Sequence, residues 1–231
     1  MTTVPVTPGP AAPGLPSPGF ADPTRDAQRA FRAVLDALAR PTRAYPLRGP
    51  AEPPTVLGPG LAAVALTLLD EDSVVWLGGP LGADAETAAW LAFHTGARRT
   101  DDPAAASFVI ATPADVPPLG SLALGTDEAP HLSATVVLDV RGCDGEAGTP
   151  ESARFTARGP GIDGAASLDA RWAWDGFAEA WAENHMQFPR GVDLLLVDSS
   201  TVAGLPRTTR LTAADTESAP GTDTIPYGGQ E

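Results

Sequence analysis

The sequence predicts a single α/β domain in which a mixed sheet is flanked by helices. Three observations carry that expectation. Apolar residues at helical spacing alternate with short apolar runs through the first part of the chain, the pattern of helices interleaved with the strands of one sheet. The run Leu194-Leu195-Leu196-Val197 is unbroken and suits a strand buried on both faces. It is followed by the polar turn Asp198-Ser199-Ser200 and a β-branched run from Thr201, which makes a hairpin and so an antiparallel component.

The elements follow in order. Residues 1–18 are rich in Pro, Gly, Ala and Thr and are expected to be a disordered or extended tail. Asp22 is a good N-cap and Pro23 suits the first helical position, where its missing N–H costs nothing. Ala27, Ala30, Phe31, Val34, Leu35 and Leu38 then recur at helical spacing, and Arg40-Pro41 ends the helix. Leu61, Val64, Ala65, Leu68 and Leu69 define a second helix, apolar most of the way round and hence buried. Ser73 to Leu77 reads as a strand, and Gly78-Gly79-Pro80 breaks the chain. Asp84 caps a third helix carrying Ala88, Leu91 and Ala92 on one side, with Gly96 as its left-handed stop.

Ser107 to Ala111 is a further strand, and Leu119 to His131 has room for a helical turn before the acidic pair Asp127-Glu128. Ala134 to Val140 is a strand, Arg141 to Ser152 a loop, and Ala153 to Ala157 a returning strand. Trp172, Trp174, Phe177, Ala178, Trp181 and Ala182 suggest a last helix. Its first two tryptophans lie about 200° apart on a helical wheel, so one of them is expected at the surface. The domain therefore spans 19–211, and residues 212–231 read as a flexible tail.

At 231 residues the chain has the length of one sizeable domain. Its net charge of −14 argues against nucleic acid as a partner. Every basic side chain is arginine, so Schiff-base and P-loop lysines are excluded. The single cysteine, Cys143, has no internal disulfide partner and fits a reducing compartment. No window reaches the roughly 18 consecutive apolar residues of a membrane span, and no basic, apolar leader opens the chain. The expectation is a soluble cytoplasmic protein with no membrane contact.

The candidate site is a rim of arginines. If the strands on either side of Asp198 pair antiparallel, the entry of the first, with Arg190, lies beside the exit of the second, with Arg207 and Arg210. Arginine binds phosphate through parallel charge-assisted hydrogen bonds, and Thr208 and Thr209 add hydroxyl donors. The rim is thus a candidate ligand- or partner-binding site. The rival reading is internal pairing with Asp193 or Asp198. His94, His131 and His185 are scattered without metal-ligand spacing; His94 and His185 suit helix C-terminal turns. Asp127-Glu128 is read as a solvated loop rather than a metal site. No Gly-x-Ser-x-Gly elbow or Cys/His cluster is present, so no catalytic residue and no metal is assigned.

Ala27-Gln28-Arg29-Ala30-Phe31-Arg32 with Arg40-Pro41, Leu66-Thr67-Leu68-Leu69-Asp70 leading to Val75-Trp76-Leu77, and Leu91-Ala92-Phe93-His94-Thr95 form an ordered set. Phe188-Pro189-Arg190-Gly191-Val192-Asp193-Leu194 and Leu205-Pro206-Arg207-Thr208-Thr209 complete it. The set resembles the PhnH family, the H subunit of the bacterial carbon–phosphorus lyase system, over roughly Gly19 to Leu211. The Pro-rich head, the acidic tail and the length of the Arg141–Ser152 loop depart from the family's pattern. The resemblance implies a fold related to the large domain of pyridoxal-phosphate-dependent transferases, without that cofactor. It also implies a homodimer that joins the G, I and J subunits of the lyase core complex. Its role there would be a non-catalytic one, supporting transfer of a phosphonate to the ribose of ATP with displacement of adenine. The alternative is a stand-alone phosphate- or nucleotide-binding enzyme that uses the arginines as a clamp.

Overall fold

Two parallel-type strands, β5 (Thr135–Asp139) and β8 (Asp193–Val197), form the centre of the sheet, and the alternation of their side chains builds two cores. Val137, Leu195 and Val197 point into one core, while Val136, Leu138, Leu194 and Leu196 point into the other. This is the period-2 geometry of a strand whose two faces are both covered, which is why Leu194–Val197 carries no polar position. A computed structural model describes residues 16–143 and 154–213. Most of the expected terminal tails (1–15 and 214–231) and most of the expected Arg141–Ser152 loop lie outside those residues.

The main sheet has seven strands in the order β1-β9-β8-β5-β4-β2-β3. Here β1 is Ala44–Pro46, β2 Val74–Leu77, β3 Arg98–Arg99, β4 Phe108–Ala111 and β9 Thr201–Leu205. The pairs β2/β3, β2/β4, β4/β5 and β5/β8 are parallel, and β8/β9 and β1/β9 are antiparallel. The fold is therefore the mixed α/β class that the sequence predicts.

One face is covered by α1 (Pro23–Ala39), α2 (Gly58–Leu68) and α4 (Ala85–Thr95), with the short α3 (Gly79–Ala83) between β2 and α4. Asp22 caps α1 by accepting the Arg25 N–H at 3.1 Å, and Asp84 caps α4 by accepting the Thr87 N–H at 3.0 Å. Gly96 ends α4 in the left-handed conformation, at φ 70°. The other face is covered by α5 (Phe177–Met186) and a small antiparallel sheet, β10-β6-β7. In that sheet β6 is Arg154–Arg158, β7 Ala166–Asp169 and β10 Arg210–Ala213. Among the described residues no helix is long and apolar enough to cross a membrane.

Four expectations are corrected. The strand at Arg154–Arg158 does not return to β5; it pairs with β7 and β10 in the second sheet, and β10 runs past Leu211 to Ala213. Trp172 and Trp174 precede α5, because Gly176 at φ 80° starts the helix only at Phe177. The helical-wheel argument therefore does not apply to them: Trp172 is buried and Trp174 half-buried, both edge-on to Phe177 at 4.9 Å. Phe31 and Leu35 share the spacing of the buried stripe of α1, yet each is about half exposed; the buried positions are Ala30, Ala33, Val34 and Ala37. In α4 the buried residues are Thr87, Trp90 and Leu91, and Ala92 is exposed.

Candidate functional site

The rim is assembled by the β8/β9 hairpin and held by α5. The register pairs Leu194 with Leu205, which brings Asp193 at the entry of β8 next to Arg207 just beyond the exit of β9. The Asp193 carboxylate accepts the Arg207 backbone N–H at 2.7 Å, Nε at 3.1 Å and Nη2 at 2.6 Å. The rest of the guanidinium is also engaged. Nη1 donates to the carbonyls of Pro130 (3.2 Å) and Pro189 (3.3 Å), and Nη2 to Ser133 Oγ at 2.6 Å. A guanidinium has five N–H donors, and each here meets a protein oxygen. Its side chain is only 12% exposed, so the pairing with Asp193 is a partly buried rivet rather than a surface contact.

The remaining rim residues are placed differently. Arg190 lies beside Asp127, with 3.5 Å between Nε and Oδ1, and both are well exposed. Such a pair contributes about 0–1 kcal/mol. Arg210 is exposed at the start of β10, opposite Arg158 in register. Thr208 is half-buried. Thr209 is fully buried, with its N–H on the Pro206 carbonyl and its own carbonyl accepting Trp181 Nε1 at 2.8 Å. The hairpin thus brings Arg190 and Arg207 to one corner through the intervening Pro189, while Thr209 faces inward.

One face of α5 holds this corner, through residues spaced i, i+3 and i+4. Trp181 takes the Thr209 carbonyl, Asn184 takes Val192, and His185 Nδ1 lies 2.9 Å from the Arg207 carbonyl. Asn184 acts as a surrogate strand: Nδ2 donates to the Val192 carbonyl at 2.9 Å and Oδ1 accepts its N–H at 2.8 Å. Gly191 at φ 114° makes this possible, since a Cβ there would come within 2.8 Å of Asn184 Oδ1. Asn184 carries no motif, but a buried asparagine amid an apolar helical stripe signals a partner across the helix.

Around the corner three large apolar side chains stand exposed among polar and charged ones. Leu132, Met186 and Phe188 are 63%, 76% and 61% exposed, and a groove of about 460 Å³ is lined by Asp127, Glu183, Met186, Gln187, Phe188 and Arg190. At the far side of the molecule His94 Nε2 and Trp90 Nε1 both reach the Ser17 carbonyl, at 2.9 and 3.0 Å, and pin the N-terminal segment on α4. At the C-terminal end of β5 the Asp139 carboxylate, hydrogen-bonded to Arg141, raises the pKa of that guanidinium, which also donates to the Val56 carbonyl. Among the described residues no three His, Cys, Asp or Glu side chains are grouped to hold a metal ion.

Comparison with known proteins matches residues 18–212 to a family model described as bacterial phosphonate metabolism protein (PhnH). One relative is the alpha-D-ribose 1-methylphosphonate 5-triphosphate synthase subunit PhnH of Rhizobium meliloti (strain 1021). It is 42% identical over 195 residues, covering 83% of this chain and 93% of the relative. A second, the putative C-P lyase subunit protein HtxG of Stutzerimonas stutzeri, is 34% identical over 189 residues, 80% of this chain and 85% of its own.

Proposed function

The chain belongs to the PhnH family of bacterial phosphonate metabolism proteins, and on that premise we propose that it is a non-catalytic subunit of a carbon–phosphorus lyase core complex. In this role it forms a homodimer and joins the G, I and J subunits in the cytoplasm. The complex then transfers a phosphonate to the ribose of ATP, displacing adenine and yielding ribose 1-phosphonate 5-triphosphate.

The observation that supports assembly over catalysis is the state of Arg207. A phosphate clamp needs guanidinium donors free to turn toward a ligand, and those of Arg207 are spent on Asp193, Ser133 and two carbonyls. The stand-alone phosphate-binding alternative requires that network to break first. A partner-binding role fits the corner better. Exposed Phe188, Met186 and Leu132 beside Arg190 have the aromatic, Met and Arg composition that interfaces favour. In this reading Arg190, Thr208 and Arg210 meet the partner, and Arg207 and Thr209 hold the hairpin in shape beneath them.

The test is co-expression of the tagged chain with candidate G, I and J subunits, followed by size-exclusion chromatography. Co-elution as a stoichiometric assembly is the expected result. A chain that elutes alone in the presence of all three overturns the subunit reading.

A further inference from the structure

We propose that the groove between α1 and β1 binds a small phosphate monoester carried on an apolar or aromatic body. The groove holds about 340 Å³ and is lined by Asp26, Arg29, Ala30, Arg32, Ala33, Asp36, Tyr45, Pro46 and Arg48. It lies on the opposite flank of α1 from Phe31 and Leu35 and is separate from the Arg207 corner.

The charges in the groove do not cancel. Arg29 pairs with Asp26 at 3.3 Å, and the Asp36 carboxylate is taken by Arg40 one turn further along the helix. Arg32 and Arg48 are exposed, and neither guanidinium forms a hydrogen bond or ion pair with any described residue. Two uncompensated guanidiniums therefore face one groove in a chain of net charge −14. Two such forks match the charge of a phosphate monoester above its second pKa of about 6, and their planar donors suit its oxygens.

The floor sets the rest of the ligand. Ala30 and Ala33 are nearly fully buried, and with Tyr45 and Pro46 they give an apolar bed, one side of it a phenol ring. A pocket of this size, apolar with a few convergent polar groups, is the usual form of a small-molecule site. A docked peptide strand fits less well. The edge strand β1 is three residues long and ends in Pro46, which offers no N–H, a device that blunts edge pairing. The site does not depend on the subunit reading, because none of its residues belongs to the hairpin corner.

The experiment is isothermal titration calorimetry of the full chain with phenyl phosphate at pH 7.5 and low salt, alongside inorganic phosphate and the Arg32→Ala/Arg48→Ala double variant. Both arginines are exposed, and circular dichroism checks that the variant is folded. Saturable binding of phenyl phosphate is expected, weakened about tenfold or more in the double variant. Inorganic phosphate is expected to bind more weakly than phenyl phosphate, and Arg154→Ala, an exposed arginine of β6, to bind like the unaltered chain. Absence of saturable binding, or equal binding by the folded double variant, overturns the proposal. Equal affinity for inorganic phosphate removes the role given to the Tyr45 floor and overturns the ligand class.

Discussion

The carboxylate of Asp193 receives three hydrogen bonds from one residue: the backbone N–H, Nε and Nη2 of Arg207. This contact locks the entry of β8 to the exit of β9. Because the same guanidinium also reaches Pro130, Ser133 and Pro189, it joins three chain segments at one point. Removing one member of a buried pair strands the other, at a typical cost of about 3–5 kcal/mol, and partial exposure of this pair lowers that figure. Arg207→Ala is therefore expected to lose about 2–4 kcal/mol in urea unfolding. Arg207→Lys recovers little, since an ammonium cannot reproduce the fork. A loss below about 0.5 kcal/mol for Arg207→Ala contradicts the rivet and revives a ligand role.

Asn184 satisfies both backbone groups of Val192 from within α5. Asn184→Ala leaves a buried N–H and a buried carbonyl unpaired, at about 1–3 kcal/mol for each group. Asn184→Asp keeps the acceptor but buries a carboxylate with one oxygen against the Val192 carbonyl, so at pH 7 it is expected to be no more stable than the alanine variant. Thermal unfolding of the three proteins gives the order directly, and an alanine variant as stable as asparagine refutes the surrogate-strand role.

Thr209 is buried, and its hydroxyl has no hydrogen-bond partner among the described residues. Its useful groups are on the backbone, where the carbonyl meets Trp181. Thr209→Val keeps the shape and deletes the unpaired hydroxyl, so stability is expected to be unchanged or to rise by up to about 1 kcal/mol. A clear destabilisation in chemical denaturation counts against that account.

Asp84 caps α4, and the Thr87 hydroxyl and N–H on its carboxylate hold its pKa below the ordinary carboxylate value. A depressed folded-state pKa means that the stabilisation is complete above the unfolded-state value. It is lost as pH falls through the folded-state value. The advantage over Asp84→Asn, which still caps but carries no charge, is expected at pH 7 and should close as pH drops to and below the usual carboxylate range. Paired denaturation curves across that range check it, and a gap independent of pH rules out the charge as its source.

Phe188 and Met186 are exposed beside Arg190 and support no core. Phe188→Ser with Met186→Ser is expected to change monomer stability by less than about 0.5 kcal/mol. Under the proposed subunit role the same variant weakens co-purification with the candidate G, I and J subunits. Undiminished co-purification places the interface elsewhere.

The sequence alone determined the mixed α/β class, the span of α1 from its Asp22 cap to Arg40, the Gly96 stop and the β8/β9 hairpin. These features depend on local chemistry: capping groups, left-handed glycine, proline geometry and unbroken apolar runs. It also grouped Arg190, Arg207 and Arg210 at one rim from the antiparallel pairing that the short polar turn at Asp198 implies; the hairpin brings Arg190 and Arg207 to one corner, whereas Arg210 starts β10 in the second sheet. Only the tertiary structure decided that the donors of Arg207 are spent inward, since its partners Pro130 and Ser133 are more than 70 residues away in sequence. The same holds for the second sheet. The segment at Arg154–Arg158 has ordinary strand character, but its partners β7 and β10 are chosen by which apolar edges meet over Phe177 and Trp181. Local preference sets the element; burial of nonlocal surfaces sets its neighbours and decides which arginine stays free.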